Sequence, residues 1–536
     1  MRAAGLVLCI LGVLLIQWQA GAYRGDLGVT DDSGAHFVTG VMVRQYALAL
    51  LNFDFQHPLR FAEDYYTHYP KLGIGQWPPG FYLIEGAWML LFGTSRSAVM
   101  VLLGLSMAAA LYMVYELAAR LAGPWLGLGT AALLLSMGSF HRFCYQVQPD
   151  LILAGVAMAA ALAFGRYAAE PGWGAAGAWT LLAVLAILIK GNALALAFLP
   201  PIYVGISRRF DLLRRVDFWG AAAVVAAICG PWYWFTRDIW ARVNTKAGTA
   251  AFGLYADVVL GGLSHLGLPL VAAALAGAVA AGGRDDGSAR RRLANAMAAL
   301  LLAWIAFHSL SPVGAGPRKH LLTLMLLILF AVICVDVLAR WAARWKVPRW
   351  AAAFVLFVGL AWATDLQRFH LLPKPVGMRE AAVQIAGDPL LRGAAVLVSS
   401  EGAGEGSLIA ELASLEPEPQ RYVLRASQLL ARSDWYDRRY ELKTPSTGAV
   451  ARLLDSLPVA VVVIDHRRGR GRPPHHSLLA QTVQKSSAWE LAGAYPQHAS
   501  RSDILVDLYR RRGEIRPLTK PPRVYSGTLG REIGGF

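Results

Sequence analysis

The chain has 536 residues, 56% of them hydrophobic and only 16% charged, with a mean hydropathy of +0.43. A soluble globular protein carries roughly a quarter charged residues, so the composition excludes an ordinary soluble enzyme and points to a polytopic α-helical membrane protein. The net charge of +16 would suggest nucleic acid in a soluble chain. Here the Lys and Arg residues gather in short loops between apolar runs, where membrane orientation accounts for them, and no nucleic-acid partner is expected.

Residues 1–20 form the first apolar run, either a cleaved signal or a retained anchor. The sequence around 17–22 only loosely resembles a cleavage site, which favours an anchor; either way the following residues lie outside the cytoplasm. Next comes Thr30-Asp31-Asp32-Ser33-Gly34-Ala35-His36-Phe37. Adjacent carboxylates beside a membrane are costly unless they stay wet or do chemistry. Their plainer role is to open a helix, as a cap and a dipole-favoured neighbour. Phe37, Val41, Met42, Tyr46 and Leu50 predict such a helix with an apolar stripe. Aromatic residues from Phe53 to Trp77 suit the headgroup boundary, so 21–96 is expected to be an extracytoplasmic loop with interfacial helices.

Candidate spans follow at 97–117, 125–140, 151–164, 175–189, 193–206, 218–234, 266–281, 293–310, 321–338 and 350–362. The short apolar stretch 79–92, opened by a proline pair and interrupted by Glu85, is ambiguous. Three basic clusters resolve it: Arg208, Arg209, Arg214 and Arg215; Arg284 and Arg290 to Arg292; Arg340, Arg344, Lys346 and Arg349. They share the cytoplasmic side with Arg120 and Arg166 only if 79–92 does not cross. That stretch is therefore expected to lie on the outer surface, leaving about eleven spans and a C-terminal domain outside. On the same outer face fall Asp31, Asp32, Asp150, Lys190 and the turn Pro317-Arg318-Lys319-His320. The plainer roles are a helix start for Asp150, snorkelling for Lys190 and loop solvation for Arg318 and Lys319. The four cysteines (Cys9, Cys144, Cys229 and Cys334) offer neither a disulfide framework nor metal spacing and read as small buried hydrophobes.

Beyond Trp362 the pattern changes to short valine-rich runs alternating with helical stretches. Strands are expected at 394–399, 421–424, 459–464, 489–494 and 504–509, with helices at 405–415, 447–457 and 477–485. This predicts a soluble α/β domain over 365–510 with a largely parallel sheet. Gly402-Ala403-Gly404 is too weak a signal for a dinucleotide site. Residues 511–536, basic and rich in Pro and Gly, are expected to be a disordered tail.

The acidic pair after the first span, the Tyr69-Pro70…Pro78-Pro79-Gly80-Phe81-Tyr82 segment and Gln148-Pro149-Asp150-Leu151 resemble the GT-C membrane glycosyltransferases. Within that group the resemblance is to bacterial relatives of the protein O-mannosyltransferases and of the lipid A aminoarabinose transferase. Lys190-Gly191 and the Arg318–His320 turn match more loosely. The resemblance covers roughly the membrane part and makes 1–364 a GT-C transmembrane catalytic domain. It implies transfer of a sugar, with inversion, from a polyprenyl-phosphate carrier to a lipid, glycan or protein acceptor outside the cytoplasm of a bacterial inner membrane. It also implies that Asp31 is the catalytic base and that Asp150 takes part; where the family usually has Glu, this chain has Asp32. Some members of the group need a divalent cation such as Mg or Mn, and Asp32 and Asp150 would be its ligands here.

The chemistry fits those residues. A phosphate leaving group departs already stabilised as an anion, so one base on the acceptor hydroxyl suffices. Lys190, Arg318 and Lys319 would stabilise the departing phosphate electrostatically. His36, one helical turn after Asp32, with Lys71 and Gln76 in the headgroup zone, are possible substrate contacts. The rival reading is a transporter or flippase for a lipid-linked or envelope substrate, which would place ionisable residues near mid-membrane. Here Glu116 and Asp336 fall near the cytoplasmic ends of their spans.

Overall fold

The computed structural model describes residues 2–28, 30–243, 267–310, 320–363, 374–400, 402–432, 440–466, 473–498 and 501–535. Its N-terminal part is helical: α1 (Arg2–Gln19), α2 (Asp31–Leu51), α3 (Pro58–His68), α4 (Gly80–Phe92), α5 (Arg96–Ala122), α6 (Pro124–Ser136) and the single turn α7 (Gly138–His141). Then come α8 (Asp150–Ala169), α9 (Trp173–Ile189), α10 (Leu199–Ser207), α11 (Val216–Val243), α12 (Leu268–Ala281), α13 (Ala289–Leu310), α14 (Leu321–Ala342) and α15 (Arg349–Ala363). Among the described residues six helices are long and apolar enough to cross a membrane, and further apolar helices are shorter. The helix α14 is apolar all round and buried at every residue from Leu321 to Asp336, so it forms the bundle's centre. A small residue permits its tightest contact: a Cβ on Gly277 of α12 would overlap the Phe330 carbonyl. By contrast α11 presents Trp219, Ile228, Trp234 and Phe235 outward, as a lipid-facing helix does.

The charges sort to two ends. At one end Arg2 pairs with Glu116, Arg290 reaches the Leu121 carbonyl and Arg209 reaches the Ala168 carbonyl. There too Arg290, Arg340 and Arg349 surround Asp336. These contacts join all three basic clusters at one end, as expected from the loop charges. At the other end Gln148 meets Thr30, Lys190 meets Asp150, and Asn192 meets His308. Both ends of α4 belong there as well. Gly80 packs on the Leu188–Ile189 backbone beside Lys190, and Thr94, just past the helix, exchanges hydrogen bonds of 3.0 and 2.9 Å with Ser414. Both ends of α4 therefore lie on one face of the bundle.

The C-terminal part contains α16 (Met378–Gly387), β1 (Ala395–Ser399), α17 (Gly402–Leu415), β2 (Tyr422–Arg425), α18 (Thr447–Ser456), β3 (Val459–Asp465), α19 (Pro474–Lys485), β4 (Trp489–His498) and β5 (Arg501–Arg511). The sheet order is β2-β1-β3-β5-β4. Strand β3 is buried at all seven positions, which its unbroken apolar run requires. The expectation of a largely parallel sheet needs correction. β1 is parallel to β2 and β3, but β5 runs antiparallel to both β3 and β4. Only two residues separate β4 from β5, and so short a link permits only a hairpin.

The expected disordered tail is a second correction. Residues 512–535 are described, and β6 (Val524–Ser526) and β7 (Arg531–Ile533) form a hairpin with Val524, Ser526, Thr528 and Ile533 buried. It docks on α3, where Tyr66 donates to the Tyr525 carbonyl at 3.2 Å and Arg531 pairs with Glu63. Helices α2 to α4 thus lie between the bundle and the α/β domain. Gly28 and Gly34 approach the α17 backbone at Ser407 and Gly406 so closely that side chains there would overlap it.

Candidate functional site

The site forms where α2, α4, α8 and α9 meet under the α/β domain. Thr30 caps α2: its Oγ1 accepts from the Ser33 amide at 3.2 Å and from Gln148 Nε2 at 3.1 Å. A cap of this kind is worth about 1 kcal/mol. The Gln148 bond also ties the start of α2 to the start of α8, two residues before Asp150. Asp31 is the first residue of α2, and its side chain lies outside the described residues. Asp32 follows, half-buried. Burial, with the Glu85 and Asp32 carboxylates near, pushes the Tyr82 phenol well above its ordinary range.

His36, one turn after Asp32, is buried. Its Nδ1 lies 2.7 Å from the Tyr82 hydroxyl, and its ring centroid lies 4.4 Å from that of Trp77. Tyr82 and Trp77 sit at the start of α4 and just before it, so this contact fixes the crossing of α2 over α4. Deeper in that crossing a Cβ on Gly40 would overlap the Glu85 carboxylate. Both Glu85 oxygens are buried without a hydrogen-bond partner, and burial pushes this carboxyl well above its usual range.

Asp150 is the first residue of α8, where the helix dipole favours it. Lys190, just past α9, donates to both its oxygens at 2.7 and 2.8 Å, with the Asp150 side chain 4% exposed. The loop charges put these opposite charges on one face; the structure joins them as a buried pair. Two residues on, Asn192 Nδ2 lies 3.3 Å from His308 Nε2, and the His308 and His320 ring centroids are 5.9 Å apart. The chain therefore returns beside Lys190 directly after Arg318 and Lys319, which themselves lie outside the described residues. Lys71 is buried, its stem against Gly406 of α17, and Gln76 is half-buried with Oε1 unpartnered.

For a divalent cation the donor set fits poorly. Both Asp150 oxygens accept from an ammonium, and the described residues gather no group of three His, Cys, Asp or Glu able to hold a metal. Tyr82, Thr30 and Gln148 were not singled out from the sequence as site residues, although each falls in or beside a motif that was.

A buried charged junction supports the site from the domain side. Glu411 of α17 accepts from Arg96 at 2.7 Å, from Arg379 at 3.4 Å and from the Leu27 amide at 2.7 Å. Asp26 accepts from the Met378 and Arg379 amides at the start of α16. Burial, reinforced by Glu411, raises Asp26 to about 7, and burial lowers Lys374 to about 8.

Residues 76–235 match the family model of the dolichyl-phosphate-mannose-protein mannosyltransferases. No curated protein matches the sequence. Among solved structures, ArnT from Cupriavidus metallidurans bound to undecaprenyl phosphate is similar with a TM-score of 0.55 and 15% identity, over 96% of this chain and 99% of that one. Its apo form gives 0.56 and 16%, over 97% and 100%. The oligosaccharyltransferase AglB from Archaeoglobus fulgidus, in complex with an inhibitory peptide and a dolichol-phosphate, gives 0.51 and 10%, over 87% of this chain and 69% of that one. The family match and the shared fold agree with the resemblance read from the motifs: this chain has the fold of the GT-C membrane glycosyltransferases and carries, over 76–235, the mannosyltransferase family's pattern.

Proposed function

We propose that the protein transfers a sugar from a polyprenyl-phosphate carrier to a hydroxyl of a lipid, glycan or protein acceptor outside the cytoplasm, with inversion. The observation that carries this reading is the meeting of the Asp31–Asp32 helix start, whose Thr30 cap is held by Gln148, with the Asp150–Lys190 pair beneath the α/β domain. Asp31 removes the acceptor's proton as the acceptor oxygen bonds to the anomeric carbon. The bond from that carbon to phosphate oxygen breaks, and the carrier leaves as a phosphate monoester. Asp32 orients the acceptor, and Lys190, with Arg318 and Lys319, balances charge growing on the phosphate. His36 and Tyr82 brace the helix that carries both aspartates. The fit of Lys190, rather than a divalent cation, to Asp150 leads us to assign no metal step, so chelation should leave turnover unchanged.

The match to a mannosyltransferase family, and structural neighbours solved with undecaprenyl phosphate or a dolichol-phosphate, support a lipid-linked donor. We read about eleven spans in a bacterial inner membrane, with the basic end cytoplasmic and the α/β domain outside. A transporter is disfavoured because the ionisable residues of the described spanning helices lie towards their ends rather than at mid-depth. The test is purified full-length protein incubated with polyprenyl-phosphate sugars and candidate acceptors. Release of polyprenyl phosphate with glycosylated product is expected. Movement of intact lipid-linked sugar across vesicles without any bond cleavage would instead favour a flippase.

A further inference from the structure

At the basic end, away from the acidic site, α5, α8 and α13 part around a cavity of about 460 Å³. Its mouth carries Arg120, Arg166, Arg290 and Arg292 against one carboxylate, Glu116. That carboxylate is shared, at 2.9 and 3.0 Å, between Arg2 and Arg120. Arg290 and Arg292 lean on Asp336 and Asp285, at 3.7 and 3.3 Å. Arg166 makes no side-chain hydrogen bond or ion pair among the described residues, and it is exposed. The mouth therefore keeps a surplus of guanidinium charge that its own acids do not balance.

Below the mouth the walls turn apolar. Leu162 lies one helical turn deeper than Arg166 on α8, and Met113 lies deeper than Arg120 on α5. At the back Gly165 lets α13 close in, since a Cβ there would sit 3.3 Å from Ala296 Cβ. A basic rim over an apolar shaft, between helices and at their basic ends, has the form of a lipid site rather than of a site for a free anion. The forked guanidinium suits phosphate oxygens, and it gives up its hydration more readily than an ammonium.

We propose that this cavity seats an anionic phospholipid of the leaflet at the basic end, its phosphate between Arg166 and Arg120 and one acyl chain along Leu162 and Met113. The site is separate from the sugar-transfer site, so its test does not depend on turnover. Full-length protein in detergent is incubated with equal phosphatidylglycerol and phosphatidylcholine, and bound lipid is counted by native mass spectrometry. One phosphatidylglycerol should be retained in preference to phosphatidylcholine. Arg166→Gln should lower its retention by about tenfold, the loss of one charge-assisted bond. Leu162→Trp, which fills the shaft and leaves the charges alone, should lower it as well, while Arg392→Gln on the α/β domain should not. Equal retention of phosphatidylcholine, or retention unchanged in both cavity variants, would overturn the proposal. So would inorganic phosphate binding as tightly as the lipid.

Discussion

Lys190 grips both carboxylate oxygens of Asp150, at 2.7 and 2.8 Å, across the gap between the end of α9 and the start of α8. Removing one member of such a pair strands a buried charge and costs roughly 3–5 kcal/mol, whereas removing both costs less. Lys190→Met and Asp150→Asn should each lower thermal stability, and the double variant should fall well short of the sum. A double-mutant cycle on purified protein measures this, and additive effects would argue that the pair is not coupled in solution.

At the junction Asp26 is raised to about 7, chiefly by burial. A carboxyl raised in the folded state favours folding fully when protonated in both states, and that contribution fades as pH climbs through the folded value. Domain docking should therefore weaken between about pH 4 and pH 7. Asp26→Asn should flatten that dependence. Lys374, lowered to about 8, titrates above this window and leaves it unobscured. Hydrogen exchange of the α16 amides against pH provides the readout.

The His36–Tyr82 contact at 2.7 Å holds α2 at the angle that presents the aspartates. Tyr82→Phe keeps the ring packing and removes only the hydroxyl, and with it the hydrogen bond to His36. A loss of about tenfold in kcat is expected beside a stability loss on the order of 1–3 kcal/mol for the removed buried hydrogen bond, with the protein still folded. Turnover kinetics beside a melting curve separate this from general unfolding.

Native cysteines are all buried, so an introduced thiol can report sidedness alone. A cysteine replacing Arg290 at the basic end should resist an impermeant reagent added outside intact cells. One replacing the exposed Arg392 of the α/β domain should react. The reverse pattern would invert the topology.

Much of this was legible in the sequence because it followed from charge and length. The basic loops required 79–92 not to cross, and α4 indeed has both ends on one face. The helix start at the aspartates followed from the carboxylates and the apolar stripe, although the cap is Thr30 and Asp31 is the first helical residue. What stayed hidden depended on distant partners. His36 and Tyr82 are 46 residues apart, and their meeting needs the close crossing that Gly40 permits. The tail's order depends on Glu63 and Tyr66, which no local pattern near residue 524 could reveal. Opposite charges on one face suggested an electrostatic site at Asp150 and Lys190, but sidedness alone gives no pairing.

The central claim is that Asp31, at the first turn of the helix capped by Thr30, deprotonates the acceptor. It is tested by single-turnover transfer with Asp31→Asn, in protein shown by its melting curve to be folded. Loss of a positioned general base predicts a fall of roughly 10²–10⁴-fold in the rate of glycosidic bond formation, with donor binding retained. Transfer at the normal rate by that variant would contradict the account.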